Sequence, residues 1–308
     1  MTSSSAAAPA GPATAARGGA LREAAAREML GIVGAPLPLA AKLVEEAGFD
    51  AVYLSGAAFS AGTLGVPDIG LFTRDQLVEQ TRILARAVSI PVVVDADTGF
   101  GGPREVEETV RLLEEAGAAA IQLEDQRGAD KRCGHLAGKQ VVDVAEMTEK
   151  LAAAAAGRRD PATVIIGRCD SRGVHGLDDC LARLHAYHDA GADWLFPEAL
   201  QSRDEFGRVA RELGDAAPLL ANMTEFGASP LISIPDLAAL GFTAALYPVT
   251  LLRLAMKAME AGLAILADEG TQESLLDLMQ TRQELYDLLD YDPAHPERHR
   301  FARPQEPS

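Results

Sequence analysis

The chain has 308 residues, 48 % apolar and 5 % aromatic, with 28 Lys and Arg against 45 Asp and Glu for a formal net charge of −17. This length suits two average domains or one α/β barrel of about 250 residues, with a core large enough to need no staples. The negative charge argues against nucleic acids and acidic membranes as partners. It leaves open a small anionic substrate, held where an Arg cluster or a metal reverses the sign locally. Cys133, Cys169 and Cys180 are too few, and odd in number, for a disulfide framework.

Residues 1–20 are rich in Ala, Ser, Pro and Gly and nearly uncharged. They read as a tail without fixed structure. They lack the charged start and continuous apolar stretch of a signal peptide, so a cytoplasmic location is expected. Residues 292–308 are polar, broken by Pro, and read as a second loose end. No apolar run reaches the roughly 18 residues of a membrane span.

Between the tails, eight short apolar runs alternate with amphipathic stretches: Met29–Ala35, Asp50–Gly56, Ile90–Asp97, Ala119–Asp125, Thr163–Asp170, Ala192–Glu198, Ala217–Thr224 and Thr243–Val249. Runs of this kind are what strands covered on both faces require. Three helical stretches end alike, in EEAGFD from Glu45, EEAGAA from Glu114 and HDAGAD from His188. Gly fits the left-handed residue that closes a helix before the next strand. Eight βα units without a domain break predict one (β/α)8 TIM-type barrel over residues 21–291. Residues Leu251–Leu289, split near Asp268–Thr271, exceed one closing helix and predict additional C-terminal helices for oligomer contacts.

In such a barrel the active site lies at the C-terminal ends of the strands. Polar residues collect there: Tyr53–Gly56, Asp95–Asp97, Glu124–Asp125, Arg168–Asp170, Glu198 and Asn222–Thr224. Asp95 and Asp97 alternate along one strand, so both side chains are expected on one face. With Glu124 they form a hard-oxygen set suited to Mg²⁺, or Mn²⁺, rather than Zn²⁺. Asp125 and Asp170 fit either this cluster or roles as ion-pair partners and helix caps. The segment Asp125–His135 places Cys133 between Lys131, Arg132 and His135. Such surroundings favour a thiolate, and the flanking glycines suit a lid that brings an acid or base to the substrate. Cys169 and Cys180 read as small buried hydrophobes, and His185 and His188 as surface residues of a helix. Gly99–Gly102 matches neither a dinucleotide fingerprint nor a P-loop.

The ordered motifs YLSG at Tyr53, GxPDxG at Gly65, VDADTGFG at Val94, EDQ at Glu124, KRCGH at Lys131, LFPEA at Leu195, ANMTEFG at Ala221, ALYP at Ala245 and GTQ…MQTRxELY at Gly270 resemble the isocitrate lyase/phosphoenolpyruvate mutase superfamily. Within it they resemble the 2-methylisocitrate lyase branch, over roughly Leu21 to Tyr291. The resemblance implies Mg²⁺-dependent cleavage of a C2–C3 bond to pyruvate and succinate, in propionate breakdown by the methylcitrate cycle. It implies that Asp95, Asp97 and Glu124 hold the metal, Tyr53 is the base and Cys133 protonates the succinate carbon. Ser55, Gly56, Ala57 and Arg168 would hold the pyruvate half. Gly134, His135, Glu198, Asn222, Met223, Thr224, Arg253 and Arg282 would position the succinyl carboxylates or close the site. It further implies a homotetramer with exchanged C-terminal helices.

Lyases for plain isocitrate carry Trp and Thr where this chain has Phe196 and Leu246, whose apolar walls leave room for a methyl group. Ala57, Cys169 and Met223 depart from the family's usual Gly, Thr and Ile. Other activities of the superfamily fit the same residues: oxaloacetate hydrolysis or decarboxylation, and cleavage of dimethylmalate or isocitrate. A non-catalytic carboxylate-binding barrel gives no reason for KRCGH.

Overall fold

All eight apolar runs form strands, each shorter at its ends than the run itself: β1 (Leu30–Gly34), β2 (Ala51–Leu54), β3 (Val92–Asp95), β4 (Ala120–Glu124), β5 (Val164–Cys169), β6 (Trp194–Pro197), β7 (Leu220–Asn222) and β8 (Ala244–Tyr247). The computed structural model describes residues 15–128, 131–132 and 138–295. Cys133, Gly134 and His135 lie outside the described residues. Every strand pair is parallel, in the order β6-β5-β4-β3-β2-β1-β8-β7. The Leu195 amide donates to the Pro218 carbonyl at 3.0 Å, and a bridge from Leu195 to Leu219 links β6 to β7. The sheet thus curls to a nearly closed (β/α)8 barrel.

The helices are α1 (Ala15–Arg27), α2 (Pro38–Glu46), α3 (Gly56–Ala58), α4 (Arg74–Ala87), α5 (Pro103–Ala116), α6 (Val144–Gly157), α7 (Arg172–His175), α8 (Leu177–Asp189), α9 (Arg203–Leu213), α10 (Ile234–Leu240), α11 (Thr250–Glu269) and α12 (Arg282–Leu288). Their ends follow local chemistry. Thr73 and Gln76 form a reciprocal capping box that opens α4. The expected glycines are left-handed: Gly48 (φ 79°), Gly117 (φ 106°) and Gly191 (φ 110°). No helix among the described residues is long and apolar enough to cross a membrane.

Strand alternation divides the core in two. Inward-facing Leu30, Ile32, Ala51, Tyr53, Val93, Ala120, Val164, Ile166, Trp194, Phe196, Leu220, Ala244 and Leu246 form one buried cluster. Their outward neighbours, such as Val52, Val94, Ile121 and Ile165, join the larger cluster that includes the helix faces. The order begins earlier than the expected boundary at residue 21. Helix α1 starts at Ala15, Leu21 is buried in the inner cluster, and buried Arg17 donates to the Ala85 carbonyl at 2.5 Å. Packing of Leu21 and Arg17 therefore overrides the low-complexity composition of residues 15–20.

The chain divides into two compact units between Arg253 and Leu254. All eight strands belong to the first. The second holds most of α11, a 3-10 turn at Glu273–Leu278, and α12, matching the break expected near Asp268–Thr271. Within it Leu275 is buried, while Leu254, Met259, Leu263 and Leu278 are exposed.

Gly34 is required by close approach: a Cβ there would stand 1.9 Å from the Pro248 carbonyl oxygen. Gly34→Ala is expected to destabilise the protein by about 3 kcal/mol, the upper range of overpacking. Gly19→Ala meets nothing within 4 Å and lies in a helix, so it is expected to gain about 0.5 kcal/mol or be neutral. Urea denaturation of the two variants checks both signs.

Candidate active site

The inward positions change character along the strands. After the apolar layers the same alternating series continues into Asp95 on β3, Gln122 and Glu124 on β4, Arg168 on β5, Glu198 just beyond β6 and Asn222 on β7. All of these are buried. With residues from the connecting loops they surround a cleft, lined among others by Tyr53, Ser55, Ala57, Asp68, Lys131, Arg132, Phe196, Thr224, Leu246 and Arg253.

Asp95 is held by three donors. The Gly56 amide reaches Oδ2 at 3.1 Å, while Gln122 Nε2 and the Asp97 amide reach Oδ1 at 3.0 and 3.2 Å. Asp97 reaches the same place by a different route from the expected one. Strand β3 ends at Asp95, and Asp97 sits beyond it with a left-handed backbone (φ 51°). The turn, not strand alternation, aims its carboxylate. A Cβ on Gly56 would stand 3.1 Å from Asp95 Oδ2 and 3.4 Å from Asp97 Oδ1, so the two carboxylates converge beside bare backbone. Glu124 is 2 % exposed, and among the described residues its Oε1 has no hydrogen-bond partner.

Lys131 reaches into this cluster, pairing with Asp97 Oδ1 and lying 2.7 Å from Asp68 Oδ1. Burial works to lower its pKa, but Glu124, Asp97, Asp68 and Asp95 outweigh that and raise it. Burial in turn lifts Asp97 to about 7 against the pull of Lys131, and raises Asp95 and Glu124. Buried carboxylates Asp95, Asp97, Glu124, Asp125, Asp170 and Glu198 gather here among the buried cations Lys131, Lys139, Arg168 and Arg183. Among the described residues no three His, Cys, Asp or Glu side chains converge as a complete metal shell. The arrangement instead fits a cation of the Mg²⁺ type, which takes one or two carboxylates and completes its shell with water and substrate oxygens. Glu124 Oε1, without a hydrogen-bond partner among the described residues, fits the same ion.

Tyr53, the base by resemblance, is buried, with 2 % of its surface exposed. Its hydroxyl donates to Gln122 Oε1 at 2.6 Å. Burial first, then the charge of Asp95, push its pKa well above 10, with Arg168 opposing. The chain Tyr53→Gln122→Asp95 orients the carboxylate. Arg168 is pinned by two hydrogen bonds to Asp170 (Nε–Oδ2 2.8 Å, Nη2–Oδ1 3.2 Å) and stacks 5.1 Å over the Phe196 ring. Its pKa is raised, because Asp170, Glu198 and Glu124 overcome the burial penalty. Glu198 accepts from Asn222 Nδ2 at 3.2 Å, and Asn222 Oδ1 accepts from the Thr224 amide at 3.1 Å.

Ser55 caps α3 through its side chain, Ala57 lines the cleft, and Gly56 contributes its amide to Asp95. Met223 does not line the cleft. It follows inward Asn222, so it points outward into the larger core cluster, where its sulfur accepts from the Ile232 amide at 3.3 Å. Arg253 is half exposed and stacks 5.4 Å over Phe226. Arg282 is the first residue of α12, in the second unit.

The open alternatives for Asp125 and Asp170 resolve as positioning. Asp125 accepts from the Asp170 amide and the Tyr187 hydroxyl, both at 2.7 Å. Asp170 holds Arg168 and also Lys139, at 2.6 Å. Cys169 and Cys180 are buried as expected. Sequence reading passed over Asp68 and Gln122. Asp68 lay within the quoted GxPDxG motif, whereas Gln122 carried no signal beyond its inward register in β4.

A sequence model of the phosphoenolpyruvate phosphomutase family matches residues 25–267. A 2-methylisocitrate lyase of Aeropyrum pernix is 47 % identical over 265 residues, covering 86 % of this chain and 84 % of the relative. A crystal structure of 2,3-dimethylmalate lyase, a PEP mutase/isocitrate lyase superfamily member, superposes with a TM-score of 0.83 at 36 % identity, covering 92 % of this chain and 93 % of that one. Phosphonopyruvate hydrolase in complex with oxalate and Mg²⁺ superposes with a TM-score of 0.80 at 30 % identity, covering 89 % of this chain and 94 % of that one. With barrel topology, strand-end acids and sequence in agreement along most of its length, this chain belongs to the PEP mutase/isocitrate lyase superfamily.

Proposed function

We propose that this protein cleaves the C2–C3 bond of 2-methylisocitrate, giving pyruvate and succinate, with Mg²⁺ as its resident ion and Mn²⁺ as a substitute. One observation carries the reading: a buried hard-oxygen cluster of Asp95, Asp97 and Glu124 shares a cleft with an Arg168 held bidentately by Asp170. The 47 % identity to a 2-methylisocitrate lyase supports this substrate over those of the other superfamily activities.

Asp95 and Asp97 would hold the ion, with Glu124 in the same shell directly or through water. When bound, the ion supplies Lewis acidity toward the substrate's 2-oxygen and its neighbouring carboxylate. Arg168 presents a fixed, always-charged guanidinium to the pyruvate half, and Ser55 lines the same cleft. Tyr53 stays protonated and, through Gln122, keeps Asp95 aimed. Cys133, with Gly134 and His135, acts on the succinate half: its thiol gives a proton to the carbon that carries the developing charge. Asn222, Thr224, Glu198 and Arg253 position the succinyl carboxylates, with Arg282 as a further candidate. Phe196 and Leu246 form the apolar wall against the substrate methyl. The exposed Leu254, Met259, Leu263 and Leu278 support self-association into a homo-oligomer, a tetramer by the family pattern, which light scattering on the purified protein tests.

The deciding assay offers 2-methylisocitrate, isocitrate, oxaloacetate and dimethylmalate in parallel, with Mg²⁺ or with EDTA, and reads pyruvate. Pyruvate from 2-methylisocitrate that disappears with EDTA is expected. Turnover of oxaloacetate alone would refute the assignment. Cys133→Ser is expected to lower kcat by about 10²–10⁴-fold, the usual worth of a positioned acid, while succinate and pyruvate still bind in a calorimeter. Near-normal kcat in that variant removes Cys133 from the acid role. Phe196→Trp combined with Leu246→Thr is expected to shift the kcat/KM ratio by about 10–200-fold toward isocitrate, since one methyl is worth roughly 1–3 kcal/mol. An unchanged ratio would mean that other residues read the methyl.

A further inference from the structure

The carboxylates assigned to the divalent ion already touch a cation that belongs to the chain. Only 4 % of the Lys131 side chain is exposed, and its ammonium is paired with Asp97 Oδ1 and lies 2.7 Å from Asp68 Oδ1. Asp97 Oδ1 is also the oxygen that converges with Asp95 Oδ2 beside Gly56. A small hard cation needs its oxygen ligands at about 2.0–2.1 Å. An ammonium on the same oxygen would then stand next to a dication, with little water to screen the two. The two cations would therefore repel each other across Asp97 Oδ1.

We propose that Lys131 and the divalent cation are alternative occupants of Asp97, so that Lys131 leaves this carboxylate whenever the cation binds. The inference rests on the reading of Asp95 and Asp97 as cation ligands. Asp68 gives the displaced ammonium a second anchor. Asp68 lies on the cleft wall and keeps 19 % of its side chain exposed, against 7 % for Asp97. The exchange moves Lys131 from the floor of the cleft toward its open side, where an anionic ligand enters. Two consequences follow. The cation binds more weakly than the carboxylates alone would allow, because it must displace a built-in competitor. Cation and anion also assist each other, because the cation frees the ammonium that the anion then meets.

The test uses full-length protein stripped of metal. Free Mn²⁺ is followed by electron paramagnetic resonance during titration of wild type, Lys131→Met and Lys131→Arg. Lys131→Met is expected to bind Mn²⁺ at least about 10-fold more tightly than wild type, and Lys131→Arg to stay within about threefold of it. Added succinate is expected to tighten Mn²⁺ binding in wild type and not in Lys131→Met. A second measurement needs no variant. Acetylation of Lys131 in the wild type, read by peptide mass spectrometry, is expected to speed up severalfold when Mg²⁺ saturates the protein. Equal or weaker Mn²⁺ binding by Lys131→Met, or unchanged Lys131 acetylation with Mg²⁺, overturns the exchange. If no protein binds Mn²⁺ at all, the cation site itself is refuted and the exchange falls with it.

Discussion

The structure turns on a concentration of buried negative charge at one end of a barrel. Removing a carboxylate from water is costly unless a partner compensates it. Here Asp95, Asp97, Glu124, Asp125, Asp170 and Glu198 crowd the C-terminal strand ends. A sequence selected for stability alone would place apolar residues at these inward positions, as it does one layer below with Val93, Ala120, Ile166 and Trp194. The raised pKa values of Asp95, Asp97 and Glu124 express that cost. The site is therefore poised to take up positive charge, and the surrounding hydrogen bonds fix where that charge can sit.

Much of this was legible because a parallel barrel has a simple grammar. Eight apolar runs separated by glycine-terminated helices leave few other folds, and the polar residue closing each run marks the functional end. The failures are local. Asp97 shares the face of Asp95 because its backbone is left-handed, and that conformation has no signature in the pattern Asp-Ala-Asp. Met223 belongs to a motif whose Asn222 and Thr224 line the cleft, yet alternation sends its own side chain the other way. For Tyr53 the sequence gives no hint of its hydrogen-bond partner Gln122 or of nearby Asp95 and Glu198, all brought in from other strands. Residues 15–20 looked like tail because Ala and Gly say little without the surfaces they pack on; a Cβ on Gly18 would stand 2.5 Å from the Ala162 carbonyl oxygen. In each case the missing information was a contact between residues far apart in the chain.

Asp170 shows how the site is made rigid. One carboxylate accepts from Arg168 and Lys139 and from Gln126 Nε2 at 3.2 Å, while its amide is held by Asp125. Asp125 is itself fixed by Tyr187, with Arg183 at 3.5 Å. Gln126 also exchanges two hydrogen bonds with the Arg132 backbone, donating at 2.9 Å and accepting at 3.0 Å. The arginine that would meet the substrate and the residues flanking Lys131 thus share one buried anchor. Low local dielectric makes such a network strong when complete and costly when broken. That is a reason for an arginine at position 168, because a planar fork can satisfy both oxygens of Asp170 and still present a face to the cleft.

Net charge and local charge answer different questions here. At −17 the whole molecule repels polyanions over the range of a Debye length, about 8 Å at physiological salt. Inside the cleft the distances are shorter and water is scarce, so the nearest few groups decide the field. Arg168, Lys131 and Arg132 line it together with Arg253, and a divalent ion at Asp95 and Asp97 would add positive charge beside them. A small polyanion is then attracted by groups within a few ångströms, while the surface acids that dominate the total are screened. The acidic composition and an acidic substrate are compatible for this reason, and the cation becomes the element on which the sign of the site depends.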